Sequence, residues 1–283
     1  MTLARLDEVL RDALRDGRGV GAFNVIQIEH AEALVAAAER ARLPVVLQIS
    51  ENAVRYHGSL APIALATKAI AQQSEVVCVL HLDHATSEQL VDEAVALGFT
   101  SVMFDGSRLD DETNRAVTRS VVRRCRGAGV SVEAELGEVG GKDGVHAPGV
   151  RTDPDAAARF VADTGVDALA VAVGSSHAMT SRTAHLDLDL VAAIRARVPV
   201  PLVLHGSSGV ADDQLRAAVA AGMTKINIAT HLNKVFTRAV RGYLDDEPGT
   251  VDTRKYLAQG RSAVADEAAR LLELIAMRTD VTV

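Results

Sequence analysis

Chemistry in this chain is possible first at His81-Leu82-Asp83-His84, an acid between two imidazoles. The segment ends an apolar run, Val76-Val77-Cys78-Val79-Leu80, whose length and β-branched content read as a buried strand. Such groups suit a fully buried core only when paired, so this strand end fits either a metal or a proton transfer. The bland alternative is a polar strand end with a satisfied histidine. His177 follows another apolar run, and His205 closes a third. If these runs are strands of one barrel, His84, His177 and His205 converge on one rim. Zinc takes three imidazoles and leaves a fourth position for substrate, so a catalytic metal site is coherent. Glu135, at the end of a further strand, is placed to add a ligand or orient one. Against this stands the reading that polar groups merely line a barrel mouth. His30, His57, His146, His185 and His231 fall in helical or loop contexts and read as structural.

Positioning that constellation takes a regular scaffold. Eight β-rich stretches, at 20–25, 44–50, 76–82, 100–105, 130–135, 168–174, 201–206 and 225–230, alternate with helix-period segments. Thr86-Ser87-Glu88-Gln89 predicts a capping box, and Asp153-Pro154 puts a capping acid before a first-turn proline. No Gly-x-Gly-x-x-Gly fingerprint follows the first strand. The fold class is therefore α/β, a (β/α)8 TIM barrel rather than a doubly wound sheet. A leading helix over 3–14 caps the barrel bottom, and a helical extension over 251–277 is a candidate oligomer arm. The glycine-rich connection 137–152 has the length of a functional lid. No linker divides the chain, so 1–283 reads as a single barrel domain.

Gly174-Ser175-Ser176, Gly206-Ser207-Ser208-Gly209 and Asn227-Ile228-Ala229-Thr230 are small, hydroxylated loops at late strand ends. Glycines let backbone N–H groups approach an anion, and a following helix adds a favourable dipole, so these loops resemble a phosphate cradle. Arg182 adds a positive charge close in sequence to His177. The composition narrows the partners. A net charge of −7 argues against a nucleic-acid binder, whose affinity rests on a basic face. Arg119, Arg123, Arg124 and Arg126 form a basic run that reads as a solvated helix face. The two cysteines make no disulfide framework, and no long uncharged apolar run could span a membrane. The expectation is a soluble, cytoplasmic protein. With 48% hydrophobic residues and no Trp, its core should be Ala, Val, Leu and Ile.

Taken in order, Ala22-Phe23-Asn24-Val25, His81-Leu82-Asp83-His84, Val132-Glu133-Ala134-Glu135-Leu136-Gly137, Gly174-Ser175-Ser176-His177, His205-Gly206-Ser207-Ser208-Gly209 and Asn227-Ile228-Ala229-Thr230 resemble class II, zinc-dependent ketose-bisphosphate aldolases. The resemblance covers nearly the whole chain. It implies reversible cleavage of tagatose or fructose 1,6-bisphosphate into dihydroxyacetone phosphate and glyceraldehyde 3-phosphate. It implies Zn2+ on His84, His177 and His205, and a monovalent cation, Na+ or K+, as several relatives require. Asp83 would move the C4 hydroxyl proton, and Asp143, or Glu138 in its place, the C3 proton. Phosphate binding carries over to Gly174, Arg182, Gly206, Ser208, Asn227 and Thr230, with Arg254 at the far phosphate and Asn24 and Ser50 at the aldehyde end. The resemblance, with the C-terminal extension, implies a homodimer or homotetramer. Ala229 matches tagatose-type members, where fructose-type members carry Asp. Two further readings are an aldolase for another sugar phosphate, such as 2-deoxy-5-keto-gluconate 6-phosphate, and a non-catalytic barrel subunit.

Overall fold

Eight parallel strands close into a barrel in chain order: β1 (Val20–Asn24), β2 (Val45–Ser50), β3 (Cys78–Ala85), β4 (Ser101–Phe104), β5 (Ser131–Glu135), β6 (Ala168–Ala170), β7 (Leu202–Leu204) and β8 (Met223–Ile228). The computed structural model describes residues 3–136, 151–176, 179 and 181–277. β8 returns to β1 with Ala22 beside Asn227, and the longest register, Val45 with Cys78 through Ser50 with Asp83, joins β2 to β3.

The helices among the described residues are α1 (Leu6–Arg15), α2 (Ile28–Ala41), α3 (Glu51–His57), α4 (Ala61–Gln72), α5 (Glu88–Leu97), α6 (Asp111–Gly127), α7 (Pro154–Thr164), α8 (Leu188–Arg197), α9 (Asp212–Ala221), α10 (Thr230–Asp246) and α11 (Thr253–Ile275). None is long and apolar enough to cross a membrane. Asp153 caps α7 as expected, accepting from the Ala156 N–H, with Pro154 in the first turn. The cap of α5 is shifted by one residue: Ser87 accepts from the Leu90 N–H, and Thr86 is instead held by Glu51. Two helices, not one, follow β2. The basic run on α6 is more than a solvated face. Arg124 reaches Glu88 on α5 at 2.8 Å, and Arg126 donates to the Gly165 carbonyl after α7 at 3.0 Å.

Alternation along the strands separates the barrel interior from the shell. Val20, Ala22, Val46, Val79, Ala168, Ala170 and Val203 point inward and meet Leu6, Val9, Leu10 and Ala13 of α1, which plugs the barrel bottom. Their neighbours Phe23, Val45, Leu47, Leu80, Leu82, Ile226 and Ile228 pack outward against the helices. Continuing each inward row toward the strand C-termini gives Asn24, Gln48, His81, Asp83, Glu133, Glu135, His205, Lys225 and Asn227. The bottom of the interior is thus apolar and the top polar, and this gradient positions the site. α11 lays its apolar face, including Val264, Ala268, Leu271, Leu272 and Ile275, on the chain's own barrel. Arg40 pairs with Asp266 and Arg261 with Glu32, tying α11 to α2.

Candidate active site

β3 departs from regular strand geometry where the chemistry begins. Its predicted end at residue 82 is too early; the strand runs to Ala85, so Asp83 and His84 lie within it. Pairing with β4 shifts register between Leu82 and Ala85, and His84 sits at φ +53°. A non-glycine residue there is strained by about 1–2 kcal/mol. The irregularity turns His84, which alternation would send outward, toward the mouth.

The ring of His84 donates from Nδ1 to Asp105 Oδ2 at 2.9 Å, and Asp105 is fixed by the Ser107 hydroxyl at 2.6 Å. His205, just past β7, donates from Nε2 to Glu133 Oε1 at 2.9 Å. Each imidazole therefore carries its proton on the nitrogen facing a carboxylate, and the remaining nitrogens, His84 Nε2 and His205 Nδ1, face one another at 3.0 Å. Two lone pairs so close repel, so either a proton on His84 or a metal ion lies between them. Burial alone would lower the pKa of His84, but Asp83, Asp105 and Glu135 outweigh it and raise it to about 9. His81, wholly buried and beside Lys225, is held well below the ordinary histidine range.

A divalent metal fits this arrangement. Two nitrogens about 2.0–2.1 Å from a tetrahedral zinc lie about 3.3 Å apart, close to the separation seen. Asp83 Oδ1 is buried with no hydrogen-bond partner among the described residues. Ligand atoms of Asp83, His84 and His205 lie within 4.8 Å of one another, as do those of His84, Asp105 and Glu135. The carboxylates that hold the outer imidazole nitrogens are the usual support for metal-binding histidines. His177, Asp143 and Glu138 lie outside the described residues.

Above this cluster opens a cleft of about 390 Å3, into which Asn24, Ser50, Asp83, His84, His205, Gly206, Ser208, Asn227 and Thr230 face. Gly206 stands at φ +68°, and a Cβ there would come within 2.5 Å of the Ser176 backbone, so only glycine lets the loops after β6 and β7 touch. The Ser208 hydroxyl accepts from the N–H groups of Ala229 and His231 at the start of α10, which Ala229 cannot cap itself. That helix start opens on the cleft and favours an anion.

Three expected phosphate contacts lie away from the cleft lining. Gly174, at φ +120°, packs under the carbonyl of His185 and acts on loop geometry. Arg182 donates to the Val210 carbonyl at 2.8 Å and pairs with Asp212. Arg254, at the exposed start of α11, pairs with Asp252 at 2.8 Å. Conversely, Asp105, Glu133, Lys225 and Gln48 were missed as site residues by the sequence reading. Asp105 and Glu133 sit on the same strand-end logic as Glu135, and a lysine inside the apolar β8 run was a signal in itself.

Residues 4–279 match the family model described as fructose-bisphosphate aldolase class-II. The chain belongs to the class II fructose-bisphosphate aldolase family. Family members similar to it include the fructose-bisphosphate aldolase of Geobacillus stearothermophilus, 39% identical with 93% of each chain covered. The fructose-bisphosphate aldolase of Thermus caldophilus is 37% identical over 94% of this chain and 96% of its own. Among solved structures, the YdjI aldolase of Escherichia coli K12 superposes with a TM-score of 0.85 at 32% identity, covering 96% of this chain and 97% of its own. Class II aldolases are metal-dependent lyases, and the groups around His84 and His205 are of the kind that could hold a metal ion.

Proposed function

We propose that this aldolase uses Zn2+ to cleave fructose 1,6-bisphosphate reversibly into dihydroxyacetone phosphate and glyceraldehyde 3-phosphate. The observation that carries the reading is the 3.0 Å approach of His84 Nε2 to His205 Nδ1 beside buried Asp83, with each outer nitrogen donating to a carboxylate. The curated relatives' name supplies the substrate. His84, His177 and His205 would hold the metal, with Glu135 close by. When bound, it supplies Lewis-acid stabilisation of charge at the substrate C2 oxygen.

Asp83 takes the C4 hydroxyl proton as the C3–C4 bond breaks. The bond's electron pair moves into C2–C3, the carbonyl pair moves onto the C2 oxygen, and C4 leaves as an aldehyde. Asp143, or Glu138, then returns a proton to C3. Gly206, Ser208, Asn227 and Thr230 hold the C1 phosphate against the start of α10, and Asn24 and Ser50 meet the aldehyde end. Arg182, Gly174 and Arg254 keep their proposed phosphate roles only if their loops rearrange around substrate. Ala229 in the cleft favours a second reading, the C4 epimer tagatose 1,6-bisphosphate. A non-catalytic barrel subunit would have no use for an aspartate aimed at two opposed imidazoles. We further propose a cytoplasmic homodimer or homotetramer with a monovalent cation requirement.

The test is a retro-aldol assay on both bisphosphates, with and without chelator. Cleavage of the fructose ester should vanish with chelator and return with Zn2+; full activity after complete metal removal would overturn the reading. Asp83→Ala should keep the metal and lower kcat by about 10² or more, the scale of a lost general base. Unchanged turnover would leave Asp83 an orienting group.

A further inference from the structure

Directly beneath the opposed imidazoles, two charged side chains lie wholly inside the barrel. Glu133 of β5 and Lys225 of β8 are each fully buried, with Lys225 Nζ 2.9 Å from Glu133 Oε2. The other oxygen, Oε1, accepts from His205 Nε2 at 2.9 Å. His81 stands on the far side, its Nε2 3.8 Å from Glu133 Oε2, and is itself held through Nδ1 to the Ser101 hydroxyl at 2.8 Å. Asn227 completes the surround, its Nδ2 3.3 Å from His205 Nε2.

Burying such a pair in place of apolar residues brings a protein little stability and often costs some. A barrel with Val and Ala at neighbouring inward positions could have packed these two sites with apolar side chains. The pair's geometry gives it another use. Imidazole has two tautomers, and the hydrogen bond made by one nitrogen decides which nitrogen presents its lone pair. Lys225 keeps Glu133 an acceptor, and Glu133 binds the Nε2–H of His205. Only Nδ1 is then left to face His84.

We infer that Glu133, fixed by Lys225, is the positioning residue that selects the His205 tautomer and turns Nδ1 toward the metal. The inference rests on the reading of His84 and His205 as metal ligands. It assigns a role in metal affinity and geometry to two residues that do not line the substrate cleft.

Cobalt(II) is the probe, because its visible absorption reports ligand identity and geometry. Removing Glu133 alone leaves a buried lysine without its counter-charge, so the informative variant removes both charges, Glu133→Leu with Lys225→Met. The folded double variant should bind cobalt about 10–100-fold more weakly, the usual loss for a support of a metal-bound histidine, with a changed absorption band. Glu133→Gln combined with Lys225→Met keeps an acceptor oxygen without an unpaired buried charge and should restore most of the affinity. A folded double variant with wild-type affinity and spectrum would overturn the inference and leave a core ion pair. A second measurement needs no variant: the long-range proton–nitrogen spectrum of the zinc-loaded protein should show His205 protonated at Nε2 and metal-bound at Nδ1. The opposite tautomer would overturn the inference while leaving the metal reading intact. Failure of the wild-type protein to bind cobalt or zinc at all would overturn both.

Discussion

His84 is held in a backbone conformation that costs energy, and what it gains is a ring aimed at His205 and locked by Asp105. Such strain persists where surrounding contacts over-determine it. Asp105→Ala removes the lock without touching the cleft, since Asp105 is not among its lining residues. Metal affinity should fall about 10–100-fold, measurable by competition with a chromogenic chelator. A different residue contributes to acid stability. His30 of α2 is buried, has no hydrogen-bond partner on either ring nitrogen among the described residues and stacks on Phe236 of α10 with centroids 5.1 Å apart. Burial lowers its pKa to about 4, against a weaker opposing pull from Glu29. Between that value and an unfolded value near 6.5 the unfolded chain binds the extra proton. The contribution of neutral His30 is therefore full above about pH 6.5 and is lost as pH falls toward 4, up to about 3 kcal/mol. His30→Phe should flatten this part of the acid limb in denaturant titrations at stepped pH; an unchanged slope would show that other groups set it.

Between elements, one chain of ion pairs links the loop after β6 to the start of α10. Arg182 pairs with Asp212 at the start of α9, Arg270 of α11 reaches Asp212 at 2.6 Å and Glu267 at 2.7 Å, and Glu267 meets His231 at 2.7 Å. Burial works against the charge on Glu267, but Arg270 and His231 prevail and lower its pKa to about 2. His231 adjoins Thr230 in the cleft, so α11 braces the phosphate end from behind. Arg270→Ala should destabilise the protein by about 1–2 kcal/mol, discounted because the guanidinium is partly exposed and screened. The shift would appear in the urea midpoint, with metal content unchanged. Loss of metal would mean that the chain of pairs supports the rim as well.

At the scale of the molecule, stability and chemistry occupy opposite ends of the barrel. Leu10 of α1 is fully buried in the apolar layer formed by Val20, Val46, Val79 and Val203, on the side away from the cleft. Leu10→Ala should cost about 2–5 kcal/mol in denaturant unfolding while kcat/KM stays at the wild-type level. A large kinetic loss would show the two ends to be coupled.

Periodicities of two and of about 3.6 residues are local properties. The eight βα repeats, the capped start of α7 and the placement of Asp83, His84 and His205 at strand ends could therefore be read from the sequence alone. Strand limits could not: β6 ends at Ala170 and Ala172 bonds instead with Thr152, β7 ends at Leu204, and β3 runs on through an irregularity that only pairing with β4 defines. Arg182 and Arg254 illustrate the same limit, since neither proximity in sequence to His177 nor resemblance to a family segment says which carboxylate a long side chain will reach. Which nitrogen of His205 faces the rim, and that Glu133 meets Lys225 across the interior, depend on strands distant in the chain being brought side by side. The sequence determined which groups are available for chemistry and, wherever strict alternation holds, on which face of each strand they fall; His84 departs from it through the register shift in β3. Barrel closure decided their partners, because hydrogen bonds and Coulomb attractions act over a few ångströms in space whatever the separation along the chain.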